Sequence, residues 1–216
     1  MSIFYRFLGF FLAVAYALER GRFGSIRLRW FVLMAGSYAS VVSLLGIWRG
    51  GLTAAGLNLV VATLLYCALL WWAERQRFVL FRPSPNAMPA RGEAPAAEEK
   101  LLVRGSGLFE VGDQKRRLVH VPVVFWTTRL GDQILAARVS SPSFLGIGVP
   151  AHERGWWYAF TEPRQLLEVS GGVLFFGFRA LPALCLLYQA GKSREAVYLT
   201  CTDAAVLGRV RKALQP

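Results

Sequence analysis

The side chains able to do chemistry are few, and they stand apart from one another. Of the two histidines, His120 alternates with Val119 and Val121 as a strand-surface or satisfied residue would, and His152 opens the turn His152–Glu153–Arg154 ahead of Trp156. A zinc helix would need a second histidine at helical spacing after the His-Glu pair, and none follows. Beyond residue 100 the acids Glu110, Asp113, Asp132, Glu153, Glu162, Glu168, Glu195 and Asp203 are scattered singly, so no carboxylate pair is available for acid–base work. The stretch "RGSG" at Arg104–Gly107 reads as a turn between strands; no helix follows it to make a phosphate loop. Cys67, Cys185 and Cys201 form no CxxC pair and read as buried free thiols of a reducing compartment. The expectation is a protein with no catalytic residue, no cofactor and no metal.

What remains are residues that bind. Lys115, Arg116 and Arg117 follow the turn Gly112–Asp113, and Arg20, Arg22, Arg27 and Arg29 precede a long apolar run. Such cations suit anionic lipid headgroups, each contributing roughly 1 kcal/mol near the surface. Trp156 and Trp157 are the conspicuous aromatics. On a strand they point to opposite faces, one ring toward the core and the other toward a partner or the membrane interface. Net charge is +12, and its distribution is informative. Residues 1–82 hold nine Arg against two Glu, residues 83–99 one Arg against three Glu, and residues 100–216 fifteen basic against eight acidic side chains. A nucleic-acid tail would concentrate the excess in one block, so no nucleic acid is expected among the partners.

The elements that position these residues begin with membrane-like helices. The chain is 55% hydrophobic, above the usual 45–50% of soluble domains. Two runs carry no charge: Trp30–Trp48, 19 residues, and Leu52–Trp72, 21 residues. About 20 apolar residues span a bilayer, and tryptophans favour its interfaces. Only Arg49, Gly50 and Gly51 separate the runs, which makes a tight helical hairpin. Small residues such as Gly36 and Ser40 allow close helix packing, within the hairpin or with a partner helix, and Asn58 suits an interhelical hydrogen bond. Neither run holds a central ionisable residue, which leaves no ion path in this chain alone. Arg20–Arg29 before the hairpin and Arg75, Arg77 and Arg82 after it place both ends in the cytoplasm. Residues 3–19 hold a 12-residue apolar core, Phe7–Leu18, short for a span. A cleaved leader, a full span and a helix lying in the interface all fit; the interfacial helix is preferred.

Residues 82–99 contain four prolines and five alanines, and read as a semi-extended linker. After Leu101, strand-like runs alternate with turn signals: Leu101–Arg104, Gly107–Val111, Leu118–Thr128, Gln133–Val139, Phe144–Val149, Trp156–Thr161, Leu166–Ser170, Val173–Arg179, Ala183–Tyr188 and Ala196–Cys201. Hairpin spacing makes consecutive antiparallel pairing the expectation. Thr202 or Asp203 then caps a helix in which Ala205, Val206, Val210 and Leu214 face inward, and Arg209, Arg211 and Lys212 face water.

The opening strands "LLVRGSGLFEV", the last hairpin "ALPALCLLYQAGKSREAVYLTCTD" and the helix "AAVLGRVRKAL" together resemble the pleckstrin-homology-like (PH-like) superfamily, above all bacterial members attached to transmembrane hairpins. The resemblance covers residues 100–215 and implies a bent antiparallel β-barrel of about seven strands closed by a carboxyl-terminal helix, so some of the ten runs must merge or be loops. The eukaryotic phosphoinositide-binding members carry Lys and Arg around the first hairpin loop, and Lys115–Arg117 match that loosely. The fold class expected is therefore a membrane-anchored α+β protein: residues 1–29 an interfacial helix and basic segment, 30–73 the transmembrane hairpin, 82–99 the linker, and 100–216 a cytoplasmic PH-like β domain of a bacterial inner-membrane protein. The expected function is that of a non-catalytic accessory or scaffold subunit docking on an integral membrane protein complex, with an energy-converting one as an example. The alternative is a stand-alone sensor of anionic lipid.

Overall fold

The computed structural model describes residues 2–23, 25–50, 54–140, 147–148, 153–160, 166–190 and 193–214. His152, residues 51–53 between the two apolar helices, and most of the Phe144–Val149 run lie outside these residues. Two units emerge: one comprises residues 11–78 and 141–150, the other residues 1–10, 79–140 and 151–216.

The first unit is helical. Uncharged, proline-free runs of Leu, Ala and Val give α2 (Leu28–Gly50) and α3 (Ala54–Arg75). Both contain stretches, Leu28–Gly46 and Gly56–Arg75, that are long and apolar enough to cross a membrane. They pack on each other through a small polar seam. The Ser40 hydroxyl donates to Thr63 Oγ1 at 2.9 Å, and Thr63 donates in turn to the Leu59 carbonyl at 2.9 Å. Gly36 faces Thr63. Asn58 does not make this interhelical bond; it is exposed on α3. Cys67 is likewise exposed on α3. At the end of α3, Arg77 and Phe78 adopt positive φ (56° and 59°), and the Phe78 N–H closes on the Ala73 carbonyl at 2.9 Å. Phe78 is buried, with its ring 5.7 Å from Tyr16 of α1 (Ser2–Arg20). β1 (Arg22–Phe23) and β2 (Ile26–Arg27) form a small sheet with β7 (Ile147–Gly148), in the order β2-β1-β7.

The second unit is built on an eight-stranded antiparallel sheet: β3 (Leu80–Pro83), β4 (Lys100–Val111), β5 (Gln114–Thr127), β6 (Gln133–Val139), β8 (Gly155–Phe160), β9 (Leu166–Phe176), β10 (Arg179–Ala190) and β11 (Ser193–Thr200). Spatial order is β3-β9-β10-β11-β4-β5-β6-β8, and the sheet curls so that β8 also meets β4 at Tyr158 and Glu110. Phe109, Phe125, Leu135, Leu174, Leu184, Leu186 and Leu199 are fully buried. Their alternation along each strand is what turns one face of the sheet inward.

Two turns expected from sequence are continuous strand instead. β4 runs through Arg104–Gly107, because Gly105 and Gly107 sit against Val123 of β5 and Val197 of β11, where a Cβ has no room. β9 runs through Ser170–Gly171–Gly172, whose bare backbone lets Met88 and Arg82 approach closely. The β9–β10 turn falls at Gly177 and Phe178, with Gly177 at φ 59°.

The segment read as a linker lies along the sheet. Arg82 and Pro83 belong to β3, paired with Val173 and Gly172. Pro85–Ala87 make a 3-10 turn and Pro89 is buried. Beyond it, Glu99 pairs with Arg209 of α4 (Ala204–Leu214) through both carboxylate oxygens, and the Pro89 carbonyl accepts from Arg211 at 2.7 Å. Those two arginines therefore hold the strap rather than face water. Asp203 caps α4, its Oδ1 accepting the Ala205 N–H at 2.8 Å. Val210 and Leu214 are buried as expected, but they are joined by Leu207 and Gly208 rather than by Ala205 and Val206, because the strap at Ala90 touches Gly208 and draws that side of the helix inward. The first half of α1 belongs to this unit too: Tyr5 lies 5.4 Å from Phe175, and Phe10 stacks on Phe178 at 4.5 Å.

Candidate functional site

The residues singled out for binding fall in three places. In the helical unit, Arg20 donates to the Tyr16 hydroxyl at 2.8 Å, Arg27 pairs with Glu19, and Arg29 bridges Glu19 and Glu74 at 2.5 Å each. Arg22 lies on β1, opposite Arg27 and Gly148. Arg29 stacks on Trp30 and Arg75 on Trp71, with guanidinium-to-ring distances of 5.2 and 5.4 Å. Two carboxylates thus serve six arginines, counting Arg75 and Arg77, at the ends of α2 and α3 where they adjoin β1 and β2. Arginine and tryptophan together at the ends of helices long and apolar enough to span a bilayer match the composition of a membrane–water interface.

In the β unit, Lys115, Arg116 and Arg117 open β5, and each faces a carboxylate. Lys115 lies 3.7 Å from Glu110 across the hairpin, Arg116 3.8 Å from Glu153, and Arg117 3.4 Å from Glu195. The cluster is compensated charge by charge, so an anion would have to displace these partners. The sequence showed the cations but not their partners, since Glu195 is 78 residues from Arg117.

The third place is β8. Trp157 is 2% exposed and its indole N–H donates to the Glu153 carbonyl at 2.9 Å. Trp156 is 44% exposed, beneath the Arg138 guanidinium. The alternation expected of a strand is present, and only Trp156 offers a surface.

The structure adds residues that sequence reasoning passed over. β4 and β5 pair Gly105 with Val121 but Gly107 with Leu118, so Val119 and His120 together oppose Ser106. This is a β-bulge, with His120 at φ 52°. The buried Ser106 hydroxyl accepts the His120 N–H at 2.8 Å and holds the bulge. The imidazole lies against Phe176, ring centres 4.7 Å apart, and its Nδ1 is buried with no hydrogen-bond partner among the described residues. Burial first, then the nearby Arg104 and Arg179 guanidiniums, pull its pKa down to about 4, so it is neutral at pH 7. Nothing in the alternation Val119-His120-Val121 signals a bulge; the register of β4 decides it. Burial likewise pushes the Cys185 thiol up to about 11, which makes it inert.

Among the described residues, no three His, Cys, Asp or Glu side chains converge to hold a metal ion. Compared with protein-family models, with curated proteins and with solved structures, the chain matches none.

Proposed function

We propose that the chain is a non-catalytic, membrane-anchored accessory subunit. In this reading α2 and α3 insert beside the helices of a larger integral membrane protein complex, and the β unit is a PH-like domain presented to that complex in the bacterial cytoplasm. The strand sequence β4-β5-β6-β8 followed by β9-β10-β11 and α4 supports the PH-like assignment. The positive-inside rule supports the orientation, with arginines flanking both outer ends of the hairpin.

The observation that carries the reading is Tyr38. It lies in the middle of the apolar stretch of α2, it is 74% exposed, and no described group bonds its hydroxyl. Ala35 and Ser37 beside it are exposed as well. A hydroxyl facing hydrocarbon without a partner is costly, and a neighbouring helix with a small-residue seam supplies the missing bond. The compensated state of Lys115–Arg117 leaves the lipid-sensor reading without a matching site on that hairpin.

The test is gentle extraction from the native membrane with a tag on the carboxyl terminus, followed by native electrophoresis and mass spectrometry. A large species of fixed stoichiometry is expected, loosened by Tyr38→Leu. A chain that runs alone, or an assembly indifferent to Tyr38→Leu together with Ala35→Leu, would overturn the reading.

A further inference from the structure

His120, Arg104 and Arg179 share a cleft of about 270 Å³ on the β unit. Arg104 comes from β4, His120 from the β5 bulge of the same hairpin and Arg179 from the start of β10, so one hairpin and a strand distant in sequence build one place. Leu102, Pro122 and Leu181 supply apolar wall, and among the described residues no carboxylate lines the cleft. This is the reverse of Lys115–Arg117, where each cation has an acid. Arg104 donates to the His120 carbonyl at 3.0 Å, which engages one of its five N–H donors. Arg179 is exposed at the end of the β9–β10 turn.

Three features mark the cleft as a built site. Two guanidiniums share it without a compensating acid. A histidine is held there in strained left-handed backbone by a buried serine hydroxyl whose one visible role is to fix the bulge. The same histidine keeps a buried ring nitrogen without a partner. Bulges that re-aim a side chain are typical of functional places in sheets.

We propose that this cleft binds a small organic phosphate monoester, its dianion held between Arg104 and Arg179 and bonded by His120, its organic body resting on Leu102, Pro122 and Leu181. Two fixed positive charges match a dianion better than a monoanion, and guanidinium forks suit phosphate oxygens. A neutral imidazole can donate to an oxygen or accept from a protonated one. The same group reaches a protein either as a soluble metabolite or as a lipid headgroup, and the two are separable.

The full chain in uncharged detergent is titrated calorimetrically with phenyl phosphate and glycerol 3-phosphate at constant ionic strength. Saturable one-to-one binding is expected, weakened about tenfold or more by Arg179→Gln and by Arg104→Gln, and unchanged by Lys115→Gln. It should also weaken below pH 6 as the phosphate dianion takes up a proton and becomes a monoanion. The Arg179 variant is the decisive one, because that side chain holds no strand in register. The absence of saturable binding, Arg179→Gln binding as wild type, or benzoate binding as tightly as phenyl phosphate would overturn the proposal. Repeating the titration with the chain in nanodiscs names the source. Glycerol 3-phosphate still binding beside phosphatidic acid means a soluble ligand. Binding abolished by phosphatidic acid but not by phosphatidylglycerol means a headgroup.

Discussion

The helical unit and the β unit spend similar apolar content in opposite directions. In the hairpin the large side chains point outward: Met34, Tyr38, Leu64 and Leu65 are all strongly exposed, and the seam between the helices is made of Gly36, Ser40 and Thr63. In the β unit Phe109, Phe125, Leu184 and Leu199 point inward, and the outer face carries the charge pairs. In lipid there is no hydrophobic gain from burying leucine against leucine, so small residues and hydroxyls make the contact. In water the gain is about 25 cal/mol per Å², so large side chains make the core.

The sharpest way to break this comparison is to delete the same kind of group in both places. Phe109→Ala, at 0% exposure, is expected to cost about 3–5 kcal/mol in chemical unfolding followed by tryptophan fluorescence. Leu64→Ala, at 65% exposure, should leave that transition within about 0.5 kcal/mol. Equal losses would mean that the hairpin is folded like a soluble core. Next in size is Gly107→Ala, whose Cβ would meet Val197 Cγ2 at 2.9 Å and the Ala196 carbonyl at 3.0 Å. Overpacking there should cost about 1–3 kcal/mol, whereas Gly46→Ala, with open space around it in α2, should be neutral or slightly stabilising in the same assay.

A smaller effect concerns pH. The His120 pKa falls from 6.5 in the unfolded chain to about 4 in the folded one, so between those values the unfolded chain binds more protons. Stability is therefore complete above about 6.5 and falls as pH drops toward 4, by on the order of 1–2 kcal/mol after allowance for partial exposure. His120→Gln should flatten that slope in unfolding curves taken at several pH values. In the hairpin, Ser40→Ala should cost about 0.6 kcal/mol of helix association, readable by exchange between the helices in mild denaturing detergent. Glu99→Gln should have the least effect, because its pair with Arg209 is half-exposed. The arginine holds the Glu99 carboxyl below its ordinary pKa, so the contact is present at neutral pH and lost as acid protonates it. Added salt should erase the difference between Glu99→Gln and wild type.

Much of the architecture was legible before any coordinates. The hairpin followed from run length and absence of charge, and the β11–α4 junction from a strand run meeting Asp203. The inward and outward tryptophans followed from strand alternation alone. The merging of strands was not legible. "RGSG" and "SGG" carry turn composition, yet glycine serves equally where a neighbouring strand must come close, and only the presence of Val197 or Met88 beside it distinguishes the two. The docking of the strap at residues 82–99 is illegible for a related reason: proline-rich composition suits a free linker and a docked edge segment alike, and its anchors, Arg209 and Arg211, lie more than a hundred residues away.

The sequence by itself determined the two long apolar helices, the core of most strands and where α4 begins, because those depend on each residue's own size, polarity and neighbours along the chain. The tertiary structure alone decided that Lys115–Arg117 are neutralised, that His120 is turned into a bulge, and that Arg104 and Arg179 share a cleft with no acid. Charge compensation and register depend on which strands lie side by side, and that is settled only when the sheet closes its long-range pairings and each side chain meets the neighbour opposite.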